Sequence, residues 1–168
     1  MISDRGLASP LPHDIFYENL SWSDIAEWPN KEAVVIAQPL GAIEQHGPHC
    51  PLDTDCNTVR GTVPEAALMA RTKLSTSVLV GPLIPVGYSI LMQNPLQNRD
   101  QFPGTIHISS RVYLALITEL CEAYRRAGFK RIVLVTGHGN NLPLLQTAAR
   151  DVRFATGVLV AATTPYLL

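Results

Sequence analysis

Three short apolar runs constrain the fold of this chain more than any other feature of its sequence. Each run is apolar without alternation, which is typical of a strand buried on both faces of a parallel sheet. Helix-like patterns separate the runs, so strand, loop and helix alternate along the chain. This order predicts right-handed βαβ units and an α/β layered fold. The runs occupy residues 33–37, 131–135 and 157–162.

The intervening patterns predict four helices, at residues 17–28, 56–71, 110–127 and 142–154. Ser109 or Ser110 should cap the third of these, and Gly128 is placed to end it. Pro64 lies inside the second predicted helix, so we expect it to begin a new helix or to kink one.

Two of the predicted strands have features that are unusual for the interior of a parallel sheet. The stretch 78–86 contains Pro82 and Pro85, which should place part of it at an edge or a bulge. Residues 158–162 are typical of a central strand, yet only residues 163–168 follow them. Because a parallel sheet normally has helices on both faces, we expect the chain to lack a C-terminal part or to receive cover from a partner chain.

Composition excludes several classes of partner. Hydrophobic residues make up 46% of the 168 residues, which predicts one folded domain, residues 1–168. The 13 basic and 14 acidic residues, with no basic run among aromatics, do not favour nucleic acid or a membrane surface. No stretch approaches the roughly 20 apolar residues of a membrane span, and no secretory signal follows Met1. The three cysteines form no C-x-x-C pair, so we expect a cytoplasmic protein without disulfides or a thiolate zinc site.

Metal-binding side chains cluster in the loop after the first apolar run. Residues 41–55 read GAIEQHGPHCPLDTD. Glu44 and His46 are two residues apart, so they face the same side of an extended segment. Gly47 and Pro48 turn the chain, which lets Asp55 fold back toward them. Carboxylate and imidazole donors are those that zinc and manganese prefer, so this loop predicts a divalent-metal site.

The loop after the second long run adds another histidine. Residues 136–141 read TGHGNN, and the glycines beside His138 permit a tight turn and a close backbone approach to an ion. In open α/β sheets, sites form beyond the carboxyl ends of the strands, where both loops lie. The predicted metal ligands are therefore Glu44, His46, Asp55 and His138.

Some of these side chains have simpler explanations when taken alone. Asp55 could be only a helix N-cap. For His13 and His107 we favour a surface or structural role, since single residues specify sites poorly. His49 could orient a ligand through a hydrogen bond or could be structural. The clustering of acids and histidines at two strand ends is what favours metal.

Three motifs resemble the creatininase (creatinine amidohydrolase) family. Residues 41–55 resemble the first metal motif of that family, with its E-Q-H-G-P-H and closing T-D. Residues 137–141 resemble its G-H-x-x-N loop, and FPGT at residues 102–105 resembles a signature near its substrate pocket. The motifs occur in the family order, and the first of them is specific.

The resemblance implies a three-layer α/β/α fold with a mostly parallel sheet and a site for two ions, zinc first, with manganese or iron as alternatives. By position, Glu44 and His138 would hold one ion, His46 the other, and Asp55 would bridge them. Glu44 and His138 would also be the catalytic residues. The implied chemistry is hydrolysis of a non-peptide C–N bond in a small cyclic or linear amide by metal-activated hydroxide. Some members process a small peptide instead, and members commonly form homohexamers.

The chain departs from the family pattern at two places. Asn140 stands where creatininase has a glutamate that completes the second metal. The later H-A-G…E-T-S segment, which supplies a glutamate and a catalytic histidine in other members, has no match before Leu168. Because Glu44 and Asp55 bring only two negative charges, we expect one firmly held ion and one loose or absent ion.

Two other functions stay open at this point. The chain could be a non-catalytic member that binds a metal or a small ligand, or an inactive fragment or assembly subunit. Residues 137–141 could also cradle a phosphate at a helix start, although no P-loop or dinucleotide fingerprint is present.

Overall fold

A four-stranded sheet forms the centre of the computed structural model, which describes residues 12–90 and 102–166. The strands are β1 (Val35–Leu40), β2 (Val78–Val80), β3 (Arg131–Thr136) and β4 (Leu159–Thr163). Their spatial order is β2-β1-β3-β4, and each neighbouring pair is parallel. The predicted α/β fold with a parallel sheet is confirmed.

Helices cover both faces of the sheet. They are α1 (Trp22–Glu27), α2 (Thr54–Leu74), α3 (Ser110–Arg126) and α4 (Asn141–Thr156), with 3-10 turns at His13–Ile15, Tyr17–Asn19 and Lys31–Ala33. One core lies between the sheet and the pair α3 and α4, and a second lies under α2. The result is three layers. None of the helices in the described ranges is long and apolar enough to cross a lipid bilayer.

The alternation of side chains along β1 and β3 explains these two cores. Ile36 and Ile132 are paired in register and point into the core beneath α3 and α4. Ala37 and Val135 point to the opposite face, where Val59 of α2 packs. Because successive strand residues face opposite sides, a run that is apolar at every position serves both layers.

The helix ends follow the capping rules. Ser21 forms a capping box with Asp24 at the start of α1. The Ser109 side chain accepts a bond from the Val112 amide at the start of α3, as predicted. Gly128 follows the end of α3 with a φ of +101°, and its amide donates to the backbone carbonyl of Arg125. The prediction that this glycine ends the helix is confirmed.

Several predicted boundaries were wrong. Pro64 does not begin a new helix, because α2 continues through it while Val63 and Ala67 on either side stay buried in the core. The alternative, that Pro64 kinks the helix, stays a prediction. The predicted strand 78–86 forms a continuous strand only over β2; Pro82 and Pro85 follow it, and between them Ile84 pairs with Leu40 through an isolated parallel bridge. The first strand, in contrast, runs on past Pro39.

The ends of the sheet also differ from expectation. Residues 158–162 are typical of a central strand, but β4 lies at the edge of the described sheet. Leu159 is 50% exposed there. Most of the polar stretch 93–104 lies outside the described residues.

Candidate metal centre

The two predicted loops meet beyond the carboxyl ends of β1 and β3, as the parallel topology requires. The loop after β1 is anchored on both sides of Glu44. The Glu44 amide donates to Leu52 O at 2.9 Å. The Ile106 amide donates to Ile43 O at 2.9 Å, and the Gln45 amide donates to the Thr105 hydroxyl at 3.1 Å. The FPGT segment therefore lies against the loop that carries Glu44.

Asp55 reaches the site from the first turn of α2, where it is only 4% exposed. The loop after β3 passes directly over this turn. A Cβ placed on Gly137 would collide with the backbone carbonyl of Asp55. Glycine at position 137 thus allows the close approach that brings His138 next to Asp55.

One group of donor atoms, which we call the inner cluster, consists of Glu44, Asp55 and His138. The His138 Nδ1 atom is 3.1 Å from Glu44 Oε1 and 3.1 Å from Asp55 Oδ2. A donor atom from each residue lies within 4.8 Å of the others. Two carboxylates and an imidazole nitrogen at such separations suit a divalent ion such as zinc or manganese.

One atom of the inner cluster gives an independent test of that fit. Asp55 Oδ2 is buried and makes no well-formed hydrogen bond to any described residue. A buried carboxylate oxygen without a well-formed hydrogen bond is costly, and nearly all such atoms in native structures have a partner. An ion beside Asp55 would satisfy it, so these residues fit a metal.

His46 forms a second, weaker arrangement with the other oxygen of Asp55, which we call the outer pair. The His46 Nε2 atom is 3.2 Å from Asp55 Oδ1, and its Nδ1 atom is 3.1 Å from the carbonyl of Glu44. The His46 side chain is 25% exposed, against 6% for His138. Asp55 therefore directs one oxygen toward each histidine, which is the geometry of a bridging carboxylate.

Charges within the inner cluster shift its protonation. Burial lowers the pKa of the His138 imidazole, but its interactions as a donor to the carboxylates of Asp55 and Glu44 and the charge of Glu44 outweigh the burial and raise the pKa to about 10. Burial raises the pKa of the Glu44 carboxyl, but His138 outweighs this effect, so the net pKa lies below its ordinary value. Without an ion, the cluster is held together by an imidazolium between two carboxylates.

Asn140 does not join the site. Its side-chain amide donates to the carbonyl of Ile90 at 3.3 Å, so it contributes a neutral group bonded elsewhere. His49 is exposed, and among the described residues no hydrogen bond links it to Glu44 or Asp55. His107 is exposed and its ring lies 5.3 Å from that of Tyr88.

Two further contributors, which were not predicted from the sequence, come from the segment after β2. The backbone carbonyl of Tyr88 lies 3.1 Å from His138 Nε2. The Ser89 side chain is 3% exposed, and its hydroxyl helps to lower the pKa of Glu44 without forming a well-aligned hydrogen bond. A backbone carbonyl carries no sequence signal, and a lone serine is too common to indicate a site.

Fold and cluster together define an α/β protein with a carboxylate–histidine centre beyond the carboxyl ends of parallel strands. The family profile for creatininase, described as creatinine amidohydrolase, matches residues 18–166. The chain belongs to the creatininase family.

Individual relatives agree with this assignment. A mycofactocin precursor peptide peptidase of Mycolicibacterium smegmatis is 35% identical over 126 residues, which cover 71% of this chain and 45% of the relative. The creatinine amidohydrolase of Pseudomonas putida is 27% identical over 145 residues, which cover 84% of this chain and 53% of the relative. The chain therefore spans about half the length of the curated relatives it matches.

A solved structure supports the fold. A crystal structure of creatinine amidohydrolase (creatininase) superposes with a TM-score of 0.69 at 23% identity, covering 89% of this chain and 57% of that chain. At this identity the likeness supports the fold alone. The homohexamer and the cytoplasmic location stay predictions.

Proposed function

We propose that this chain binds one divalent ion firmly through the inner cluster and a second, weaker ion through the outer pair. The observation that carries the proposal is the convergence of Glu44, Asp55 and His138 on one point, with Asp55 Oδ2 buried and without a well-formed hydrogen bond among the described residues. Asp55 would bridge the two ions, with His138 on one side and His46 on the other.

Zinc is the first candidate for the ion. Imidazole nitrogen together with carboxylate oxygen suits zinc, and manganese is compatible with the same donors. The names of two structures with the same fold point the same way, since one is a creatininase with Mn and another is a creatininase variant of Zn–Zn type.

The activity we propose is hydrolysis of an amide C–N bond. A divalent ion bound here would lower the pKa of a coordinated water from 15.7 toward roughly 7 and polarise the amide carbonyl. Glu44 and His138 would act as the catalytic residues by fixing the reacting centre between them. His138 is itself held in place by the Tyr88 carbonyl, and the buried walls around Asp55 limit access of bulk water.

Two classes of amide are candidate substrates. The first is a small cyclic or linear amide with a non-peptide C–N bond, the class that the first motif implies. The second is a short peptide, because the relative at 35% identity is named as a peptidase that acts on a precursor peptide. Both bonds present a planar carbonyl to the same donors, so the substrate panel must contain both.

The deciding experiment measures metal and turnover in the same preparations. The purified protein would be loaded with Zn²⁺ or Mn²⁺, its ion content measured by elemental analysis, and its hydrolysis of creatinine, formamides and short peptides followed. We expect about one firmly bound ion per chain in the wild type and a large loss in Glu44→Gln, which keeps the shape of the side chain but removes its charge. Glu65→Gln, on the exposed side of α2, is the matched control and should retain the ion. A metal-free wild type whose stability is unaffected by a chelator would overturn the proposal.

One observation favours a second candidate function, that of a metal-binding protein without turnover. Asn140 offers no charge to the outer pair, so the second ion lacks a carboxylate of its own. A protein that holds one ion but hydrolyses no amide in the panel would support this alternative and would leave the metal part of the proposal standing.

A further inference from the structure

Asn141 connects the three backbone segments that surround the inner cluster. It is the first residue of α4 and is completely buried. Its Nδ2 atom donates to the Gly41 carbonyl at 3.1 Å and to the Thr136 hydroxyl at 3.3 Å. Its Oδ1 atom accepts a bond from the Tyr88 amide at 2.8 Å. One side chain at the start of α4 therefore joins the segments that follow β1 and β2 to the last residue of β3.

The contact with Tyr88 leads directly to the metal centre. The Tyr88 carbonyl lies 3.1 Å from His138 Nε2 and can accept a bond from it. With a proton on Nε2, the ring presents Nδ1 to Glu44 and Asp55, 3.1 Å away on each side. Metal-binding histidines almost always have such a partner on the second ring nitrogen, which fixes the orientation of the ring.

The backbone before Tyr88 is adapted to this contact. Gly87 is buried, and a Cβ placed on it would lie 2.5 Å from Asn141 Oδ1. The chain can therefore approach the amide closely only without a side chain at position 87. A larger residue would force Asn141 or the Tyr88 backbone to move.

Thr136 completes the arrangement on the side of β3. Its hydroxyl accepts a bond from the His138 amide at 3.0 Å and lies 3.0 Å from the His138 carbonyl. Asn141 thus contacts a side chain that shapes the His138 backbone, while it also holds the segment that orients the His138 ring.

We propose that Asn141 is a positioning residue of the metal centre, which acts on His138 by fixing the Tyr88 backbone rather than by touching an ion. The proposal rests on the proposed function only for its metal readout. Its structural core, that Asn141 holds the bond between Tyr88 O and His138 Nε2, is independent of any ion.

A matched control separates positioning from ordinary stabilisation. Gln38 is also completely buried, and its amide is equally well bonded. It donates to Pro82 O at 2.6 Å and accepts from the Tyr124 hydroxyl at 2.6 Å, and no hydrogen bond among the described residues links its side chain to the His138 loop. Gln38→Leu should therefore lower the melting temperature without changing the metal centre.

The experiment uses Asn141→Leu, which has a similar branched shape, although it is larger, and carries no polar atoms, and compares it with Gln38→Leu. The first readout is Zn²⁺ affinity of the folded protein by competition with a chromophoric chelator. We expect Asn141→Leu to bind about 10–100-fold more weakly than wild type, and Gln38→Leu to bind like wild type. The second readout is the ¹H–¹⁵N resonance of the His138 ring Nε2–H in metal-free protein. It should be protected from exchange in wild type and in Gln38→Leu, and lost or strongly shifted in Asn141→Leu.

Gly87→Ala tests the same contact from the other side and serves if Asn141→Leu does not fold. It should reproduce both changes in weaker form, since its Cβ presses on Asn141 Oδ1. Wild-type affinity together with an unchanged Nε2–H resonance in either folded variant would overturn the inference. If wild type itself binds no Zn²⁺, the proposed function fails, while the resonance in metal-free protein still decides the role of Asn141.

Discussion

The inner cluster and the outer pair use the same aspartate but differ in every property that governs ion affinity. The inner cluster combines two carboxylates with a histidine that is 6% exposed. The outer pair has no carboxylate beyond the shared Asp55, and its histidine is 25% exposed. Two negative charges balance one divalent ion, and among the described residues we find no third carboxylate in these two arrangements for a second ion. The comparison teaches that a bridging residue alone does not make two equal sites, because each ion needs charge of its own.

We expect the largest effect from a substitution of Asp55, the residue that both arrangements share. Asp55→Asn keeps the shape of the side chain and removes its charge, so neither site should hold an ion. We expect Zn²⁺ affinity to fall by more than about 100-fold, since even outer partners of ligands cost 10–100-fold. Isothermal titration calorimetry measures the loss, and Asp53→Asn, at the exposed N-cap of α2, is the control. Retention of a firmly bound ion would contradict the bridging role of Asp55.

A second test moves the inner cluster without touching a ligand. Gly137→Ala places a methyl group against the Asp55 carbonyl and should push the His138 loop away from α2. We expect a loss of stability of about 1–3 kcal/mol from this overpacking, with Zn²⁺ affinity lower by about tenfold. Gly139→Ala lies on the other side of His138 in open space and should change neither quantity much. Thermal unfolding and titration of both variants check the contrast, and equal behaviour of the two would refute it.

The pH dependence of zinc affinity should distinguish the two sites, because an ion at the inner cluster must displace the proton of His138. The pKa of His138 is raised to about 10, so metal-free protein carries this proton at pH 7. Zinc binding at the inner cluster should release it, and affinity should rise about tenfold per pH unit between 7 and 9. In metal-free protein the same shift stabilises the fold fully below about pH 6.5, and this stabilisation is lost as the pH rises through about 10. Calorimetry in buffers of different ionisation heat measures the released proton, and a flat profile would exclude a protonated His138.

We expect the smallest effect from a substitution that should strengthen ion binding at the outer pair. Asn140→Glu adds a carboxylate two residues after His138, where the asparagine side chain donates to Ile90 O. We expect the second ion to bind several-fold more tightly. The upper limit is about tenfold, which corresponds to about 1.4 kcal/mol. Asn140→Gln has the same length without the charge and should behave like wild type. Elemental analysis at increasing Zn²⁺ measures the second equivalent, and an unchanged content in both variants would show that position 140 does not face the outer pair.

Much of the inner cluster could be predicted from the sequence, for a reason that is visible in the fold. The parallel order of β1 and β3 brings their carboxyl ends together, so Glu44 and His138 meet although they lie far apart in the chain. The spacing of the first motif likewise indicated that Asp55 would fold back. These inferences needed only strand direction and residue chemistry.

The parts that could not be predicted depend on long-range backbone approach. The Tyr88 carbonyl and the buried Asn141 amide meet only because Gly87 and the start of α4 pack together. No local pattern encodes that meeting. The prediction of a new helix at Pro64 was wrong for a similar reason. Packing of Val63 and Ala67 in the core outweighed the local tendency of Pro64 to interrupt α2.

The anchoring of the Glu44 loop has a consequence for the kinetics and entropy of ion capture. Ile43, Glu44 and Gln45 are each tied by a separate hydrogen bond to a neighbouring segment. The conformational entropy of this loop is therefore lost when the protein folds, and little remains to be lost when an ion arrives. The Glu44 carboxylate is therefore held in position before an ion binds, and its loop does not need to close around the ion. Capture of the ion should accordingly be limited by its dehydration and by proton release, with no slow loop ordering before it.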